Sequence, residues 1–514
     1  MEGLKEMIHL VSKSKVKSIN VIGDNSFNKG DKLSRLYTGI LEGRFDTDEE
    51  AAAALGLDAR NKQFQNLKSE LRYRMLNTVF FIDIKKASYT DYQKAYLTIY
   101  KEWAAAKLLL AQRAKGVGVN LTKKILKKAL KFELTELVLD AANVLRGYYG
   151  AVGANKRKFR YYDQIFVDNE PVWLAENKVH RMYLEITIEY RESNHGKAAD
   201  LAKKYTEKIL PLLEQYKSYH LHLMGRLIIS WAYMLNYEYQ ETIKSCIEAI
   251  YFFDQKPYSA NHAISIFLHN QLSCHTQLKD FDHGKLVAQR CKDLTVKGTF
   301  NWYKTEELLL ILALHTRHFS EAIEIYYHAI NQPRYKFLPP SAKELWEIYG
   351  MYIHYATVVH NIEVKNAKHR VSRVRLGKFL NTVPKHTMEK RRMNIPILII
   401  HILFLIFQNK YGKVMNRIEA IEKYCSRYLQ ADTHYRSNCF IRMLLQIPRS
   451  DFHVKAVERN ARKYWQKLQQ SPLETANQTH EIEIIPYEEL WAYVLQSLEN
   501  RRNRIREFGV DYGG

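Results

Sequence analysis

Glycine and proline are scarce in this chain: 21 and 11 among 514 residues, both below ordinary usage. A sheet-rich fold needs turn glycines, and a dinucleotide-binding α/β fold needs a glycine-rich phosphate loop, so both classes are disfavoured. Few breakers in so long a chain point to long helices. Cysteine is rarer still. Cys246, Cys274, Cys291, Cys425 and Cys439 are scattered, odd in number and form no CxxC pair. That argues against a disulfide framework or a zinc module, and suits buried thiols in a reducing compartment. Long apolar runs are also missing. Ile395 to Phe407 is short of the about 20 residues that a membrane-spanning helix needs, and it contains a histidine. It reads as a buried core helix. The opening MEGLKEMIHLVSKSK lacks the apolar core of a signal peptide; Leu4, Met7, Ile8 and Val11 make a helical face instead. A soluble, cytoplasmic protein with no membrane span is the expectation.

What the chain has is apolar content and positive charge. Apolar residues make up 46%, enough for a sizeable core. Lys and Arg number 78 against 55 Asp and Glu, a formal +23. Such a surplus favours anionic partners, whether nucleic acid, an acidic protein or a membrane surface, although a solvated surface also accounts for it.

Residues 1–90 differ from the rest. Lys17 to Ile22 carries β-branched residues and reads as a short strand. Three helix patterns follow. KLSRLYTGILEG places Leu33, Leu36, Tyr37, Ile40 and Leu41 on one face and ends at Gly43. TDEEAAAALG opens on a capping box, Thr47 with Glu50, and closes at Gly56. NKQFQNLKSELRYRMLNTVFFI puts Phe64, Leu67, Leu71, Met75 or Leu76, and Val79 at helical spacing. The last two outline a helix-turn-helix.

From residue 91 to about 510 helices recur in pairs. LIISWAYMLNYEYQETIKSCIEAI, QLSCHTQLKDFDHGKLVAQRCKDL and LLLILALHTRHFSEAIEIYYHAI each hold an apolar helix, a polar turn, an aromatic and a second helix. The aromatics Tyr239, Phe281 and Phe319 are 42 and 38 residues apart, and Tyr411 repeats the scheme. These units resemble tetratricopeptide repeats, with Ala322, Ala329 and Ala249 where small residues pack the second helix. The period is longer than the usual 34, the repeat-ending proline is absent, and Lys285 or Leu286 stands where a small residue belongs. The resemblance implies an all-α solenoid of antiparallel helix pairs behind a small N-terminal helical domain.

Catalytic motifs are missing. AKGVGVN (114–120) has two glycines but no GxGxxG, and reads as a loop between helices. DFDHGK (280–285) reads as a turn, and His220 and His222 as packing or surface residues. No GxxxxGK[ST], GxSxG or HExxH occurs. No enzyme activity, cofactor or metal is expected.

Two basic constellations remain. Helix 61–81 offers Lys62, Gln65, Asn66, Lys68 and Arg72 opposite its apolar face, the residue types that hold phosphates and read base edges. The stretch from Lys365 to Arg392 carries ten Lys or Arg and one acid, Glu389. Lys365, Arg370, Arg373, Arg375 and Lys378 are its candidate anion contacts. A plain amphipathic helix and a solvated face explain the same residues. The expected function is a non-enzymatic repeat scaffold or sensor for a protein or peptide. The alternative is a nucleic-acid-binding regulator that uses the N-terminal module.

Overall fold

A computed structural model of the chain describes residues 1–13, 31–82, 91–192, 194–360, 362, 388–415, 435–471 and 483–508. The strand expected at 17–22, Cys425 and all five candidate contacts from Lys365 to Lys378 lie outside them. Within the described residues the structure is all-α, without a strand. It divides into two compact units, Met1–Phe166 and Val167–Gly514.

The first unit begins with α1 (Glu2–Lys13), α2 (Lys32–Leu41), α3 (Asp48–Ala54) and α4 (Lys62–Val79). Helices α1, α2 and α4 pack on one another around Leu4, Ile8, Leu36, Ile40, Phe64, Leu71 and Met75. Met75 takes the core position of α4, and Leu76 is left half exposed. The capping box forms as the sequence requires. Thr47 Oγ1 accepts from the Glu50 N–H at 3.2 Å, and the Glu50 carboxylate accepts from the Thr47 N–H at 3.3 Å. Gly43 and Gly56 stop α2 and α3 at φ +71° and +68°, where a side chain would be strained.

A second core belongs to α5 (Asp91–Ala111), α6 (Lys115–Lys131) and α7 (Thr135–Gly147), built on Ile99, Trp103, Ile125, Leu137 and Leu145. Here the AKGVGVN reading is corrected: Lys115 onward is helix, not loop. Gly118 is a packing residue. A Cβ there would sit 2.8 Å from Leu110 Cγ and 3.3 Å from the Leu110 backbone nitrogen, so only glycine lets α5 and α6 approach this closely. A turn of π-helix, Tyr148–Val152, follows α7. Then α8 runs from Lys156 to Arg191 as one helix, joining RKFRYYDQIF and VHRMYLEITIEYRE, which had read as separate.

The second unit continues with α9 (His195–Gln215), α10 (Tyr219–Met234), α11 (Tyr239–Asp254), α12 (Asn261–Gln277), α13 (Phe281–Asp293), α14 (Phe300–His315), α15 (Phe319–Ile330) and α16 (Pro340–Val359). Each helix packs on the next, and α12 also packs on α14, so successive pairs stack as in a solenoid. The stack goes on through α17 (Met388–Phe407), which packs on α16 and on α21 (Tyr487–Phe508). Between them in sequence come α18 (Tyr435–Leu444), α19 (Gln446–Arg449) and α20 (Val454–Gln469). The apolar run in α17 is core as expected, with Ile399, Ile402, Leu403 and Ile406 at 0–1% exposure. No helix among the described residues is long and apolar enough to cross a membrane.

The structure aligns the repeats more tightly than the sequence does. Tyr237, Lys279, Arg317 and Asn409 all take φ between 56° and 62°. The next N–H reaches back to close the turn: Glu238 to Tyr233 O, Asp280 to His275 O, His318 to Ala313 O and Lys410 to Leu405 O, at 2.8–3.0 Å. The aromatic comes two residues after the left-handed position. Three residues after the aromatic stand Thr242, Gly284 and Ala322, all buried. Ten after it stand Ala249, Cys291 and Ala329, at 0–1% exposure. The small residue of the second repeat is therefore Gly284, not Lys285 or Leu286; a Cβ there would meet Leu312 Cδ2 at 2.3 Å. DFDHGK is likewise mostly helix: α13 starts at Phe281, and Asp280 caps it by accepting from the His283 N–H at 3.3 Å.

Candidate interaction surfaces

Helix α4 keeps its apolar side on the N-terminal core and turns its polar side outward. Lys62, Gln65, Asn66 and Arg72 are exposed. They are not equivalent. The Gln65 side-chain amide donates to Ala59 O at 2.7 Å, which anchors it to the preceding turn. Lys68 is largely covered and salt-bridged to Asp48, whose carboxylate also faces the terminal ammonium of Met1 at 3.3 Å. The Lys68 and Met1 charges hold the Asp48 carboxyl below the usual range against a burial effect that pushes it up. A phosphate at Lys68 would have to displace that carboxylate. Lys62, Asn66 and Arg72 face water with no ion pair among the described residues, and Tyr73, Leu76 and Phe80 continue the exposed side toward the helix end. The connection from α3 to α4, residues 55–61, is longer than the about 3–4 residues usual in a helix-turn-helix.

A second surface lies between α20 and α21 in the other unit. An open groove of about 500 Å³ is lined by Trp465, Trp491 and Leu495, with Arg459, Arg462 and Glu458 at its edges. Ala461 of α20 and Ala492 of α21 add small side chains to its lining. Trp491 is anchored in the core at 5% exposure, while Trp465 is only half buried. In the sequence this wall is the basic segment VERNARKYWQK, residues 457–467. The partner helix, nearly 30 residues away, was not legible as its other wall.

Several other buried polar groups are paired inside the second unit. The Arg436 guanidinium donates to both oxygens of Glu483 at 2.9 Å, to both oxygens of Glu488 at 2.8 Å, and to Leu468 O and Ser471 O at 3.0 and 2.8 Å. Every donor direction of the fork is used. Cys291, His269 and Thr305 touch at 2.9–3.4 Å, a grouping that invites a nucleophile reading. Burial, however, pushes the Cys291 thiol up, and it also pushes the His269 imidazole down to about 4. A protonated thiol beside a neutral ring, at 1% exposure, is core packing. Burial likewise raises Cys274 to about 12. His222, from the HLHLM segment, stacks on Phe252 at 3.7 Å and bonds Tyr216 O at 3.0 Å, a packing role as expected. Among the described residues no three His, Cys, Asp or Glu converge to hold a metal ion.

The fold thus defines an all-helical repeat protein with a separate N-terminal helical core. No protein-family model, no curated protein and no solved structure matches the chain.

Proposed function

We propose that this is a non-enzymatic, tetratricopeptide-like scaffold whose second unit binds a protein or peptide segment. The groove carrying Trp465 supports this reading most directly. It pairs a half-exposed indole with a fixed one and rims them with charges of both signs, the composition of a peptide hot spot. An open trough also suits an extended chain better than an enclosed small molecule. A phage-displayed random peptide library panned on the whole protein tests it. Wild type is expected to enrich peptides sharing a sequence pattern. Trp465→Glu is expected to weaken binding of those peptides at least tenfold, about 1.4 kcal/mol or more, while circular dichroism stays unchanged. No enrichment, or equal binding by the variant, refutes the reading.

The exposed polar side of α4 favours a second reading, a helix-turn-helix-like module that contacts duplex DNA. Lys62→Glu with Arg72→Glu should then reduce duplex affinity and flatten its salt dependence by about one to two released counterions. Lys68 is left intact in this test because its loss would strand Asp48. If titration of a mixed-sequence duplex shows the same salt slope for variant and wild type, α4 does not hold the DNA backbone.

A further inference from the structure

A further cationic face is distinct from both of those surfaces. Residues 113–161 hold twelve Lys or Arg and only three acids, Glu133, Glu136 and Asp140. The fold gathers these cations on α6 and the start of α8. Lys124 and Lys127 are exposed on the outer side of α6, and Lys123 shares the face of Lys127, one turn away. Lys123 Nζ lies 5.5 Å from the centre of the Tyr149 ring, and Lys158 Nζ reaches the same ring at 5.0 Å. Tyr149 therefore bridges the two helices' cations. It stacks on Tyr162 at 5.7 Å and 11°. Tyr161 then stands edge-on to Tyr162 at 5.0 Å and is 61% exposed.

Two features make this more than a solvated face. The first turn of α8 holds Lys156, Arg157 and Lys158 and no acid, so three cations sit at the positive end of a helix dipole. Lys124, Lys127, Lys156, Arg157 and Arg160 have no ion pair among the described residues, whereas the neighbouring Lys128 and Arg146 are paired with Glu102 and Asp163. The second feature is the aromatic geometry. Phe159 lies over the backbone at Gly150, where a Cβ would be 3.2 Å from its ring, and Tyr161 is braced by Tyr162. Exposed rings are fixed among unpaired cations, beside the π-helix that carries Tyr148 and Tyr149.

We infer that the surface formed by α6, the π-turn and the start of α8 binds single-stranded nucleic acid. The lysines and arginines track the phosphates while a base stacks on Tyr161. A duplex keeps its bases stacked on one another and leaves no use for an exposed ring. A membrane surface would call for an apolar wedge of long aliphatic or Trp side chains, and the exposed apolar residues on these elements are two valines, Val117 and Val152, a single leucine, Leu130, and Phe159, with no tryptophan. This surface is independent of both the Trp465 groove and the α4 face.

Fluorescence anisotropy of the full chain with a labelled thymidine or uridine oligonucleotide of about 16 residues tests it. Wild type is expected to bind with affinity that falls steeply with salt, and to prefer the single strand to a hairpin duplex. Lys124→Glu with Lys127→Glu and Arg157→Glu is expected to weaken binding at least tenfold. Tyr161→Ala, which removes only an exposed ring, is expected to weaken single-strand binding about fivefold or more and duplex binding hardly at all. Lys62→Glu with Arg72→Glu should leave single-strand binding unchanged. The proposal is overturned by absent or salt-independent binding, by a Tyr161→Ala variant that binds like wild type, or by loss through the α4 variant instead. Binding to phosphatidylserine vesicles without oligonucleotide binding overturns it equally.

Discussion

Replacing Arg436 with methionine is expected to destabilise the second unit by about 3–5 kcal/mol, read as a lower urea midpoint. Arg436 is 8% exposed and Glu483 is 5% exposed. From α18 the guanidinium satisfies two carbonyls at the end of α20 and two carboxylates, Glu483 just before α21 and Glu488 in its first turn. Methionine fills similar volume but leaves the Glu483 carboxylate buried without a cation. Burial already pushes the Glu483 carboxyl up, and Arg436 is the chief influence pulling it down. Without Arg436 that carboxyl rises further above its unfolded value. A raised carboxyl binds its proton more tightly in the folded state, so the variant's deficit should be largest at neutral pH and shrink as pH falls from there, above the acid transition of the unit. Adding Glu483→Gln should restore part of the loss at neutral pH. A variant as stable as wild type, or a deficit that does not shrink in acid, would show that water rather than Arg436 solvates this carboxylate.

Acidification is the second large perturbation. His222 and His315 are held down to about 3, and His269 to about 4. Burial is the main cause at each, reinforced by Arg226 at His222, by Lys279 at His315 and by Lys304 at His269. The hydrogen bonds fix the neutral form. Arg226 Nε donates to His222 Nδ1 at 3.2 Å, leaving Nε2–H to donate to Tyr216 O. His315 Nε2–H donates to Glu483 O at 2.7 Å. A depressed histidine contributes stability that is full above the unfolded value near 6.5 and lost as pH falls toward the folded value. Three such groups set a limiting slope of about 4 kcal/mol per pH unit, or up to about 6 kcal/mol between pH 7 and 5. That rivals the whole stability of an ordinary domain. The second unit is therefore expected to unfold cooperatively near pH 5, followed by circular dichroism. Histidine NMR resonances should show three rings that stay neutral until unfolding. Rings that titrate near 6.5 in the folded protein would defeat this account.

The helices were legible because their signals are local. The Thr47–Glu50 capping box, the glycine stops at 43 and 56, and the Leu4, Ile8 and Val11 face all form as written. The repeats were half legible. Aromatic spacing marked the second helix of each pair, but the turn before it is held by Tyr237, Lys279, Arg317 and Asn409 in a conformation that glycine usually signals. Without glycines the turns look like ordinary polar residues, and the small position of the second repeat, Gly284, falls one or two residues before the Lys285 or Leu286 that the sequence suggests. AKGVGVN misled in the opposite sense. Its glycines suggested a loop, yet Gly118 is there to let Leu110 close on α6.

Sequence by itself determined that this chain is helical, paired and basic, because caps, periodicity and composition act within a few residues. Only the tertiary structure decided which cations are spent. It ties Lys68 to Asp48 and Arg436 to Glu483 and Glu488, but leaves Lys62 and Arg72 on α4 and Lys124 and Lys127 on α6 facing water. Charge pairing depends on which residues distant in sequence come within a few ångströms, and burial sets whether a charge is neutralised or displayed. Those two quantities separate a structural cation from one available to a partner.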